Sequence, residues 1–108
     1  MLKKLNWEAI ATDERNKVIE AVKDAISTHD GYIMNFNMYS DLGLSLSIEI
    51  EENNIVGLYK ALSTILKMSD FKDDHIKLKS KKECLLLLYV SFIQGKGSLK
   101  KTIPQVPG

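Results

Sequence analysis

Residues 84–93 read CLLLLYVSFI, the most apolar run in the chain. The run is too short to cross a bilayer as a helix. It predicts a strand over Glu83–Gln94. Leu86, Leu88, Val90 and Phe92 fall on one face of that strand, Leu85, Leu87, Tyr89 and Ile93 on the other. A strand that is apolar on both faces is normally covered on both faces. One face will take the helices of the domain, so the second needs its own cover. Leu2, Leu5, Trp7 and Ile10 near the N-terminus could lie across it. Alternatively a second subunit packs there, since a contiguous exposed apolar patch marks an interface. The expectation is the second subunit, with Leu85, Leu87, Tyr89 and Ile93 as the interface.

Working back along the chain, Tyr32–Tyr39 and Leu44–Glu51 alternate apolar and polar residues around Ser40-Asp41-Leu42-Gly43, a turn by its chemistry. This predicts a hairpin. In its first strand Tyr32, Met34, Phe36 and Met38 should share one face, and Ile33, Asn35, Asn37 and Tyr39 the other. In its second, Leu44, Leu46, Ile48 and Ile50 point inward, leaving Ser45, Ser47, Glu49 and Glu51 outside. An amphipathic helix is predicted over Asp13–Ser27, capped by Thr12 or Asp13 and stopped at Gly31. A second runs from Asn53 or Asn54 to about Lys67, with Ile55, Leu58, Tyr59, Leu62, Ile65 and Leu66 as its stripe. Leu99–Ile103 is read as a last strand paired to the 83–94 strand, and Pro104 places it at a sheet edge.

The order is therefore αββαββ in one α+β domain over 1–108, with a long polar loop at 69–82 and a Pro-containing tail at 104–108. Such a pattern folds as two layers, a four-stranded, mainly antiparallel sheet with both helices on one face. Its architecture is related to a ferredoxin-like plait with the first strand moved to the end. A shift of 40 residues superposes the two helical stripes, which suggests a duplicated αββ unit.

Apolar residues make up 44% of the chain and charged ones 27%, as in an ordinary globular domain that folds without metal or disulfide. The single cysteine, Cys84, reads as a small buried hydrophobe. The N-terminus lacks the apolar core of a secretory signal, so a cytoplasmic protein with no membrane association is expected. Net charge is only +1, but the last 34 residues carry seven lysines against one acid. Those lysines read as a solvated face that guards an edge strand. Arg15 is the only arginine, which argues against a nucleic-acid reader.

Motifs for catalysis are absent: no phosphate loop, dinucleotide glycine pattern, zinc spacing or nucleophile elbow is present. Asp70, Asp73, Asp74 and His75 form the best group of potential metal ligands, but without ligand spacing they read as a solvated loop. No cofactor, metal site or catalytic residue is expected. The leading expectation is a non-catalytic interaction or regulatory module that forms a homodimer through its sheet, with a further protein partner open to it. The alternative is a sensor or carrier of a small molecule, held on the outer sheet face by Asn35, Asn37, Tyr39, Ser45 and Ser47.

Overall fold

The computed structural model describes residues 3–40, 42–71 and 75–93. The elements run β1 (Lys3–Ala11), α1 (Arg15–Thr28), β2 (Tyr32–Ser40), β3 (Gly43–Glu51), a 3-10 turn (Glu52–Asn54), α2 (Ile55–Ser63), β4 (Lys67–Met68) and β5 (Glu83–Phe92). The chain is a compact α+β domain with an open, mixed, five-stranded sheet in the order β2-β3-β5-β1-β4. β1 runs parallel to β5, and the other neighbours are antiparallel.

The largest correction to the sequence reading is β1. The N-terminal segment does not lie across the sheet but is a strand of it. Trp7, Ala9 and Ala11 are buried and Leu5 packs against the same core, while Lys4, Asn6, Glu8 and Ile10 face outward. The four-stranded αββαββ sheet is thus a five-stranded sheet that begins with a strand. The plait-like arrangement with its first strand moved to the end does not form, because that strand stays at the start and pairs with β5. The expected hairpin on β5 has no edge to form on. β3 covers one side of β5 and β1 the other, over almost its whole length. Residues 99–103, the expected last strand, lie outside the described residues, as does the tail at 104–108. The order αββ does recur, as α1-β2-β3 and α2-β4-β5, but the hairpin does not: β2 pairs with β3, whereas the two-residue β4 lies on β1 and β5 lies between β3 and β1.

Both helices pack on the inner face. Val18, Val22, Ala25 and Ile26 of α1 and Ile55, Leu58 and Leu62 of α2 are buried with Leu44, Leu46, Ile48, Ile50, Leu86, Leu88 and Val90. Helix α1 starts later than its stripe implies. Its cap is Glu14, whose carboxylate accepts from the N–H groups of Asn16 (3.1 Å) and Lys17 (3.0 Å). Asp13 instead accepts from the Glu14 N–H at 2.7 Å. At the other end the positive φ falls on Asp30 (59°), not on Gly31. Gly31 is needed for a close approach, since a β-carbon there would stand 2.9 Å from Ile26 Cγ2. Helix α2 ends four residues early. Ser63 and Thr64 return hydrogen bonds to the carbonyls of Tyr59 and Ala61, and the chain turns so that Lys67 and Met68 can pair with β1.

The long connection from 69 to 82 is packed where it is described. Phe71 closes a ring cluster with Trp7 (5.1 Å) and Tyr59 (5.0 Å), and Ile76 is buried. Its anchor is Glu52, which is only 3% exposed. The carboxylate accepts from Lys3 Nζ (2.8 Å) and the Lys77 N–H (2.9 Å), while Lys3 also donates to the His75 carbonyl. The Lys3 ammonium, followed by the Lys77 amide, lowers the Glu52 pKa from the ordinary 4.5 to about 2. A carboxyl whose pKa falls on folding stabilises the native state above its unfolded pKa, and that contribution fades as pH drops toward the folded value. Glu52→Gln is therefore expected to lower the urea midpoint clearly at about pH 6 and progressively less between pH 4.5 and 2. A deficit that stays constant with pH would show that the ionised carboxylate is not the source.

Candidate functional site

The outer sheet face is the surface without a helix among the described residues. Its side chains form cross-strand rows. Asn35, Ser47, Leu87 and Asn6 make one row, and Asn37, Ser45, Tyr89 and Glu8 the next. Glu49, Leu85 and Lys4 lie on one side of these rows, and Gly43, Ser91 and Ile10 on the other. The polar residues singled out on β2 and β3 therefore do come together, directly opposite one another. They border the apolar residues singled out on β5.

Leu85 and Leu87 are half-buried by their neighbours in the sheet, Tyr89 is 40% exposed and Ile10 37%. These four side chains form a narrow apolar band down the middle of a polar face. Ile93 lies just past β5, half-buried, with its N–H bonded to the Ala11 carbonyl at 3.0 Å.

Two irregularities in β2 change the predicted facing of its residues. Between Ile33 and Asn35 the register shifts, so Met34 is the extra residue. Ile33 then turns inward to pair with Ile48, and Tyr32 turns outward to pair with Glu49, the reverse of a strict alternation. A second shift lies between Met38 and Ser40 and re-aims Tyr39. Its ring folds back over β3 at Gly43, where a β-carbon would stand 2.6 Å from Tyr39 Cε2 and 3.0 Å from Cζ. Gly43 therefore does more than serve the turn, since its missing side chain is the seat of the Tyr39 ring.

Beside that ring an open cleft of about 610 Å³ crosses the end of the sheet. Tyr39, Tyr89, Ser91, Ile10, Lys67 and Glu8 line it. Its far wall is pinned. Ser69 donates its N–H to the Glu8 carbonyl (2.8 Å), its hydroxyl accepts from the Glu8 N–H (3.2 Å), and its carbonyl accepts from the Tyr59 hydroxyl (2.6 Å). Lys67 and Ser91 escaped the sequence reading, and Ile10 was expected across this face rather than within it, because the three become neighbours only through the β1 pairings.

The ionisable groups elsewhere are placed for structure. Cys84 is fully buried, and burial, followed by the nearby Glu52 charge, pushes its thiol pKa up, away from the reactive thiolate. His29 holds the Ala25 carbonyl through Nδ1 at 2.8 Å at the end of α1. His75 and Asp70 are exposed, and Asp73 and Asp74 lie outside the described residues. Among the described residues no group of three potential ligands could hold a metal ion. No helix among them is long and apolar enough to cross a membrane. No family model matches the chain, nor does any curated protein or solved structure.

Proposed function

We propose that the protein is a non-catalytic interaction module that associates with a second copy of itself through the outer sheet face. The observation that carries this reading is the band Leu85–Leu87–Tyr89 on the central strand of the sheet, over which no element among the described residues packs. The charges beside it support a second copy as the cover. On β1, Lys4 and Glu8 stand at equal distances on either side of Asn6, one row below and one row above. Among the described residues neither has an ion-pair partner in its own chain.

A two-fold axis lying in the interface and crossing the strands at the Asn6–Leu87 row sets Lys4 opposite Glu8 of the second copy, and Glu8 opposite its Lys4. The same axis sets Leu87 on Leu87 and Leu85 on Tyr89. This reciprocity is what an isologous interface requires. β2, β3, β5 and β1 together span roughly 19 Å by 30 Å. That is of the order needed for the ~800 Å² per partner of a standard interface. Aligned sheets pack face to face about 10 Å apart, a gap these side chains fill.

Charge reversal tests the axis. Lys4→Glu alone, or Glu8→Lys alone, places like charges opposite each other twice per dimer. Each is expected to weaken the dimer roughly tenfold. The double reversal restores the pairing and should return the dissociation constant to within about threefold of the parent, read by sedimentation at low salt. Three variants that all dimerise like the parent would place the contact elsewhere.

A further inference from the structure

We infer that the cleft beside Tyr39 is a binding site for a small, elongated ligand with a planar aromatic ring at one end and an anionic group at the other, of the size and chemistry of a nucleoside monophosphate. Solvent exposure alone does not account for two features of the backbone. The second irregularity of β2 re-aims Tyr39 across the sheet, and position 43, which receives its ring, has no side chain. Bulges of this kind recur next to functional sites because they redirect one side chain. The result is an exposed aromatic ring standing at one end of a cleft of about 610 Å³, within the range of small-molecule sites.

The other end of the cleft carries a lysine, with the Glu8 carboxylate one row away on β1. Lys67 on β4 pairs with Ile10, on the outer face, and has no carboxylate partner among the described residues. Between the two ends lie the hydroxyls of Tyr89 and Ser91 and the apolar side chain of Ile10. Gly43 on β3 and Lys67 on β4 are separated by β5 and β1, so three strand spacings, about 14 Å, divide the backbone position under the ring from that of the lysine. A simple aromatic acid is too short to use both ends. A ring joined to its anion through a hydroxylated spacer spans the distance, with the ring against Tyr39, the spacer on Ser91 and Tyr89, and the anion at Lys67. The pinned wall at Ser69 and the sheet floor hold these groups in place before the ligand arrives, which lowers the entropy lost on binding.

The test is calorimetric titration of the intact protein with adenosine monophosphate, adenosine and ribose 5-phosphate at low salt. The monophosphate is expected to bind at least tenfold more tightly than either fragment. Lys67→Gln should reduce its affinity about tenfold, to that of adenosine, while leaving adenosine binding unchanged. Tyr39→Ala, a substitution of an exposed side chain, should weaken the monophosphate and adenosine but not ribose 5-phosphate. Gly43→Val should do the same by displacing the ring. Glu8, Tyr89 and the Gly43–Ser91–Ile10 row under the cleft also belong to the proposed dimer face, so ligand and second copy compete for it; the titration is repeated on Leu87→Glu, to which the monophosphate is expected to bind at least as tightly as to the parent. Binding that Lys67→Gln and Tyr39→Ala leave unchanged would overturn the assignment, as would no binding of the monophosphate at millimolar concentration to either protein.

Discussion

Trp7→Ala is expected to cost about 3–5 kcal/mol of folding stability. The indole sits on the inner face of β1, 2% exposed, edge-on to Tyr59 of α2 (5.2 Å, 76°) and to Phe71 of the long connection (5.1 Å, 66°). Removing it empties the space where three parts of the chain meet, so the neighbours cannot close the gap without moving α2 or the connection. A domain of this size has about 5–15 kcal/mol in all, so the variant should be close to unfolding at 37 °C. The loss is read from urea unfolding followed by circular dichroism, since Trp7 is the only tryptophan and its fluorescence goes with it. Trp7→Phe should cost less than half as much. It keeps a ring in the cluster, and it removes a buried indole N–H that has no hydrogen-bond partner among the described residues. A loss below about 1 kcal/mol for Trp7→Ala would mean that β1 is not docked under α2.

The second large effect is on association. Leu87→Glu is expected to raise the dimer dissociation constant by at least about a hundredfold. On the proposed axis Leu87 meets its own copy, so the substitution removes two buried leucines and sets two carboxylates against each other. Losing even 1.5 kcal/mol of burial per side gives roughly that factor, before any repulsion. The fold should barely notice, because Leu87 is only half-buried within one chain and its row is otherwise polar. A shift of more than about 1 kcal/mol in urea stability would show that position 87 belongs to the core, as Leu86 and Leu88 do.

The hairpin, the two helical stripes and the two-faced strand were legible in the sequence because each repeats its period for six residues or more. β1 was not, although its pattern was there to be found. Leu5, Trp7, Ala9 and Ala11 alternate with Lys4, Asn6 and Glu8, but two of the inward residues are alanines and Ile10 is an apolar residue facing out. A weak alternation between small residues reads as no alternation. The strand order was not legible either. Nothing local says that β1 pairs with β5, or that β5 has both edges taken.

The outer sheet face was half visible. Asn35, Asn37, Ser45 and Ser47 were placed on it by alternation, and Leu85, Leu87 and Tyr89 by the excess of apolar residues on one strand. What alternation cannot supply is an extra residue. The irregularities at Met34 and Tyr39 reverse the facing of Tyr32 and Ile33 and create the cleft, and both depend on pairing with β3. Glu52 was equally hidden. An acidic residue after a strand reads as solvated until Lys3 of β1 and the Lys77 amide of the long connection are brought to it.

The central claim, that a second copy covers the outer sheet face, is tested most directly by sedimentation equilibrium of the unmodified protein from about 1 to 100 μM. A standard-sized but largely polar interface predicts micromolar association. The weight-average mass should rise across that range from the single-chain 12.2 kDa toward twice that value. Leu87→Glu should stay close to the single-chain mass up to about 10 μM and associate only partly at 100 μM, as a Kd raised about a hundredfold requires. A parent protein that stays at 12.2 kDa at the highest concentration would contradict the account, and so would a dimer that Leu87→Glu leaves intact.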